Sequence, residues 1–159
     1  MTLQQQLQQE LSALSPFSNE GQILELREPG RQLRCDLVAL DSLACAFERI
    51  VLRADNLVGS TVEQLKQVAE RLSARLTYLL EPISPIEIDS EGCIVQMRSS
   101  PPQKDSDCTN YYELLVARTG ELSLCRYTRP IGQPREAIGA HVTREVLGRL
   151  VADFSAVVQ

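Results

Sequence analysis

The chain has 159 residues, 43% of them hydrophobic and 23% charged, with a formal net charge of −5 and a pI near 5.0. These values suit a single folded domain over 1–159, and the acidic balance opposes the attraction to phosphate backbones that nucleic-acid binding draws on. The start, Met1-Thr2-Leu3-Gln4-Gln5-Gln6, has neither a basic nor an apolar leader region, and no apolar run reaches the roughly 18 residues of a membrane span, so a cytoplasmic protein without a membrane partner is expected.

Leu3, Leu7, Leu11 and Leu14 recur at helical spacing and predict a first helix that closes at Ser15-Pro16. After the polar break Ser18-Asn19-Glu20-Gly21, the alternation of Gln22 to Glu28 predicts a strand with Leu24 and Leu26 on one face. Glu28-Pro29-Gly30-Arg31 then has the Pro and Gly of a turn. Gln32 to Leu40 and Ala44 to Arg53 read as two further strands. Both carry apolar side chains on each face, which predicts a sheet covered at least in part on both sides.

Ser60 and Thr61 are candidate N-caps, and Ser60 with Glu63 has capping-box spacing. Val62, Leu65, Ala69, Leu72, Leu76 and Leu79 follow at intervals of three and four, the longest apolar stripe in the chain. It predicts a helix from Val62 to Leu79 packed on the sheet and ended by Glu81-Pro82. Ile86 with Ile88, Cys93 to Arg98, Tyr111 to Arg118, and Leu122 to Tyr127 read as strands. A two-residue turn at Thr119-Gly120 sets Glu113 opposite Arg126 and Tyr112 opposite Tyr127, with Leu115, Ala117, Leu122 and Leu124 sharing a face. Val142, Val146, Leu150, Phe154 and Val157 make the stripe of a closing helix with Thr143 as its cap. Gly148 in its middle calls for a close backbone contact.

The parts of familiar catalytic sites are missing. His141 is the sole histidine, so any Ser-His-Asp or Cys-His triad would need it, and no G-x-S-x-G, Walker A, dinucleotide fingerprint or H-E-x-x-H is present. Cys35, Cys45, Cys93, Cys108 and Cys125 form no compact ligand cluster and read as buried free thiols of a reducing compartment. Catalytic residues, a metal site and a cofactor are therefore not assigned. The loop Ser99 to Asp107 holds Asp105 and Asp107 but lacks the further oxygens of a calcium loop, and reads as a Pro-stiffened surface segment. The Gly- and Pro-rich stretch from Arg129 to Gly139 leads to a helix start, where Arg126, Arg129, Arg135 and His141 form a candidate anion site. The plainer reading pairs those arginines with Glu113 and Glu136.

Taken together the elements give an α+β fold, an antiparallel sheet packed by helices in the order α-βββ-α-ββ(ββ)-α. That order, from the Leu3–Leu14 stripe to the helix after Val142, resembles the class I chaperones of type III secretion. The resemblance implies a homodimer that offers apolar sheet and helix surfaces to an extended client segment without catalysis. The expected function is thus a non-catalytic protein- or peptide-binding module, with Val38, Leu40, Ile50, Leu52, Tyr112 and Tyr127 as candidate partner-binding residues. The alternative is a small-ligand or enzyme-like protein built on Arg126, Arg129, Arg135 and His141. A pocket of several hundred cubic ångströms with converging polar groups would favour that alternative, and a flat apolar patch would favour the binding module.

Overall fold

In the computed structural model the described residues are 1–14, 20–99 and 102–159, with the side chains of Pro85 and Ile86 also outside the description. The stop at Ser15-Pro16, most of the break at Ser18-Asn19 and part of the Ser99–Asp107 loop lie outside those residues. Helix α1 (Leu3–Ala13) starts from a capping box that the sequence reading passed over: the Thr2 hydroxyl accepts from Gln5 N–H and the Gln5 side chain accepts from Thr2 N–H. Leu3, Leu7 and Leu11 are buried, as the stripe requires.

Strands β1 (Gln22–Glu28), β2 (Arg31–Leu40) and β3 (Ala44–Ala54) form an antiparallel meander. Helix α2 (Val62–Arg75) follows, and its capping box is Thr61 with Gln64 rather than Ser60 with Glu63. The helix ends a turn earlier than the stripe predicts, yet Leu76 and Leu79 stay buried because the chain turns down onto the sheet. Next come β4 (Ile83–Asp89), β5 (Ile94–Ser99), the short β6 (Gln103–Lys104), β7 (Cys108–Ala117), β8 (Glu121–Pro130), β9 (Glu136–Ile138) and β10 (Ala140–Thr143). Helix α3 (Arg144–Val157) closes the chain with Thr143 as its cap, the residue the sequence marks. The main path of the ten-stranded sheet runs β1-β2-β3-β8-β7-β5-β4, antiparallel throughout.

Directly opposed residues form two apolar rows across this path. Leu26, Leu33, Leu52, Leu122, Val116 and Val95 make one, and Leu24, Cys35, Ile50, Leu124, Leu114 and Met97 the other. All of them are buried in one cluster with residues of the three helices. Burial on this scale is the main stabilising term of the fold. Rows of the opposite face are polar: Asp36, Arg49, Cys125, Glu113 and Arg98 lie side by side, as do Gln32, Arg53 and Glu121. Ion pairs Arg34–Asp36 and Arg53–Glu121, both at 2.9 Å, lace that face, which suits contact with water.

Three sequence expectations are corrected here. Leu40, Ile50 and Leu52 point into the helix-covered core, so they cannot line a partner surface on the other face. The apparent second apolar face of β2 and β3 comes from bulges, since pairing skips Glu48 and then Val38 and so resets the side-chain alternation. Second, the β7–β8 hairpin closes through three residues, Arg118-Thr119-Gly120, with Gly120 N–H donating to Ala117 O at 3.0 Å. Glu113 therefore opposes Cys125 and Arg126 opposes Tyr112. The intended Glu113–Arg126 and Tyr112–Tyr127 pairs are slipped by one residue, and Leu114 and Val116 replace Leu115 and Ala117 in the core. Gly120 has φ +99, and a Cβ there would come within 2.9 Å of Val58 Cγ2 and 3.0 Å of Ala54 O. The extra loop residue is thus set by packing against a distant segment.

Third, Gly148 makes no close backbone contact; the nearest atoms to an added Cβ belong to the Gln4 side chain, at 3.6 and 3.9 Å. With ordinary room for a methyl group inside a helix, Gly148→Ala is expected to raise unfolding free energy by up to about 1 kcal/mol. Urea melts of the two proteins check this, and a loss of stability would show that α1 and α3 need the glycine.

Candidate functional site

The sheet forks between β3 and β8, and a concavity lies beside the fork. β3 pairs β8 only over Arg49–Arg53 with Glu121–Cys125. Beyond that, β8 takes β9 and β3 takes β10, both antiparallel. The register makes β9 run toward the root of the fork, from Glu136 opposite Thr128 to Ile138 opposite Arg126. β10 then runs away from it, from Ala140 opposite Phe47 to Thr143 opposite Ala44. The two short strands form a V whose apex is Gly139. A Cβ at the apex would lie 3.1 Å from Val38 Cγ2 and 3.4 Å from the Ala46 Cβ, so the turn packs closely enough that a side chain there would need Val38 to give by a few tenths of an ångström.

A pocket of about 640 Å³ opens beside this V, where α2 has ended. Leu79, Leu80, Tyr112 and Ile138 give it apolar walls, while Glu81, Gln103, Asn110, Arg126 and His141 bring polar groups. Its lining includes an ion pair. Arg126 Nη1 donates to Glu81 Oε2 at 2.7 Å, Nη2 donates to Gln103 Oε1 at 3.1 Å, and the guanidinium lies 4.5 Å from the centre of the Tyr112 ring. Both Arg126 and Glu81 are mostly buried. Burial pushes the Tyr112 phenol above its ordinary pKa, and Arg126 pulls it only part of the way back. The phenol is therefore protonated at neutral pH.

The candidate anion residues are dispersed. Arg126 and His141 share the pocket, but Arg129 is exposed opposite Thr109. Arg135 lies on the helix-free face, where it binds the carboxylate of Glu113 and stacks 4.0 Å from the Tyr127 ring centre. Glu113, only 5% exposed, also receives Gln96 at 3.2 Å and faces Arg98 at 3.4 Å. Arg98 in turn sits over Tyr111, whose ring centre is 6.0 Å from that of Tyr127. The plainer reading of Arg135, pairing with Glu113, is the observed one. Arg126 instead pairs with Glu81: it stays on the helix side with Leu122 and Leu124, while the one-residue slip carries Glu113 to the opposite face and out of its reach.

Of the candidate partner-binding residues, Tyr112 lines the pocket, Tyr127 lies on the polar face, and Val38 is half-buried against the chain's own Gly139 turn. Sequence reasoning missed Leu80, Glu81, Gln103, Asn110 and Ile138. They come from four separate segments, and no spacing in the chain could have joined them.

Comparison with protein-family models, curated proteins and solved structures finds no match to this chain. The likeness to secretion chaperones thus rests on element order alone. Among the described residues no helix is long and apolar enough to cross a membrane, and no group of three or more His, Cys, Asp or Glu side chains is placed to hold a metal ion.

Cysteine chemistry follows burial. Cys35 and Cys45 are in the core, which raises both thiols above their ordinary range, Cys45 to about 11. Cys93 is also buried, whereas Cys108 and Cys125 are partly exposed. Labelling of the native protein with a small thiol reagent is expected to modify Cys108 and Cys125 first. Rapid modification of Cys35 under native conditions would contradict the packing of β2.

Proposed function

We propose that the protein is a non-catalytic protein- or peptide-binding module whose recognition site is the pocket beside the β9–β10 V. A pocket with converging polar groups is the feature expected of a small-ligand protein; we assign this one to a peptide segment because its cation is already taken up, Arg126 by Glu81, Gln103 and the Tyr112 ring, within walls of Leu79, Leu80, Tyr112 and Ile138. Apolar surface with a few fixed polar groups is the usual make-up of a recognition site. A volume of about 640 Å³ suits a few residues of an extended segment. Side chains pinned to one another in this way hold and orient a partner; none of them is left as a nucleophile beside a free base. The helix-free face, with its laced charges, is read as the solvent side of the sheet.

Leu80 provides the test, because it lines the pocket while being 93% exposed, so its replacement costs little packing. Leu80→Asp is expected to abolish capture of the partner from native lysate while leaving the melting temperature within a few degrees of the parent. Ile94→Asp, on the opposite face, is expected to capture the same partner as the parent. Loss of the partner with Ile94→Asp and retention with Leu80→Asp would move the site to the other face and end this reading.

A further inference from the structure

We propose that this pocket selects a neutral carboxamide, the side chain of an Asn or Gln next to an apolar residue in the bound segment. The inference rests on the peptide-binding reading above and names what the site discriminates. Among the described residues four buried side-chain polar atoms lack a hydrogen-bond partner, and two of them, Glu81 Oε1 and Asn110 Oδ1, belong to residues of this one pocket. Both are acceptors held away from water, where an unmade hydrogen bond raises the free energy of the empty protein. A third cost lies next to them. Leu80 has φ +66, a conformation unfavourable for a residue with a Cβ, and its leucine side chain stands almost wholly in solvent. Three local costs converging on one concavity are what a binding site leaves exposed when its ligand is absent.

Charge decides the class of ligand. The Glu81 carboxylate is already neutralised by Arg126, so an entering ammonium or guanidinium would meet Arg126 without gaining a free counter-charge. An anion would meet two unpaired acceptor oxygens, while the guanidinium it needs is committed to Glu81, Gln103 and the Tyr112 ring. A neutral amide avoids both penalties. Its NH2 group supplies donors to acceptors of this kind and adds no charge to a partly buried site. Entry requires Leu80 to move aside, and Leu80 has little packing to lose in doing so. The same shift lets its side chain cover the apolar neighbour of the amide.

The test compares three probes, acetyl-Leu-Gln, acetyl-Leu-Glu and acetyl-Leu-Lys methylamides, titrated into the full chain and followed by amide chemical shifts. The Gln probe is expected to move the resonances of Asn110, Glu81 and Ile138 and to bind at least about 10-fold tighter than the other two. Asn110→Ala is expected to weaken the Gln probe by about 10-fold while leaving the melting temperature unchanged or raised, because it removes an acceptor that has no partner in the free protein. A purely structural Asn110 would instead lower the melting temperature. Equal binding of the three probes, an Asn110→Ala variant that binds the Gln probe as the parent does, or no binding of the Gln probe up to about 10 mM each overturns carboxamide selection. None of these touches the peptide-binding reading, which stands or falls on the Leu80→Asp and Ile94→Asp captures.

Discussion

Leu72→Ala lowers the free energy of unfolding by about 2–5 kcal/mol, the range for truncating a buried leucine where the surroundings cannot close the cavity. Leu72 lies in the apolar stripe of α2 and is fully buried. The helix packs on β4, β5 and β7 and against α3, so the void opens between rigid layers rather than at a yielding edge. For a chain of this length the change lowers the melting temperature by roughly 2–4 °C per kcal/mol. Urea melts monitored by circular dichroism read it directly. A loss below about 0.5 kcal/mol would place the stripe in solvent and overturn the layer arrangement.

Phe47→Ala is expected to cost about 3–5 kcal/mol and to loosen the candidate site as well. The Phe47 side chain is fully buried in β3, next to the bulge at Glu48, with Leu37 opposite on β2 and Ala140 opposite on β10. Ala140 is the first residue of the V's outgoing limb, and β10 joins the sheet through only four residue pairs. Removing the ring beneath it takes away packing that this short pairing cannot replace. Hydrogen exchange should therefore show β10 amides opening at lower free energy than those of β7 and β8. If β10 keeps its protection while stability falls, the V is held by β8 and α3 instead.

Helical periodicity and the Thr143 cap were legible because they are local, whereas the Thr2–Gln5 capping box was missed and the α2 box fell on Thr61–Gln64 rather than Ser60–Glu63. The Leu3–Leu7–Leu11 stripe and Thr143 have their observed roles, the Val62–Leu79 stripe packs on the core although α2 ends at Arg75, and β1 spans the residues that alternation marks. The α+β class follows from the order of those periods, and the three-helix, antiparallel arrangement matches it. The register of the β7–β8 hairpin was not legible. Thr119-Gly120 is compatible with a two-residue turn, and only the contact of Gly120 with Val58 and Ala54 adds the third residue. That single residue moves Glu113 to the polar face and sets Tyr112 opposite Arg126 on the pocket side.

The candidate site shows the same division. Arg126, Tyr112 and His141 were marked in the sequence as polar or aromatic residues near a Gly- and Pro-rich stretch, but nothing local reveals that β9 and β10 fill a fork between β3 and β8. Glu81 follows α2 at a Pro-marked exit, and only the turn of the chain onto the sheet brings it to Arg126 across 45 positions. By itself the sequence determined the helices, the Thr143 cap, the β1–β3 meander and the α+β class, because these depend on neighbours within a few residues. Tertiary structure alone decided which face the residues of β2, β3 and β7 occupy and which polar groups meet in the pocket, because a bulge or one extra loop residue inverts side-chain direction.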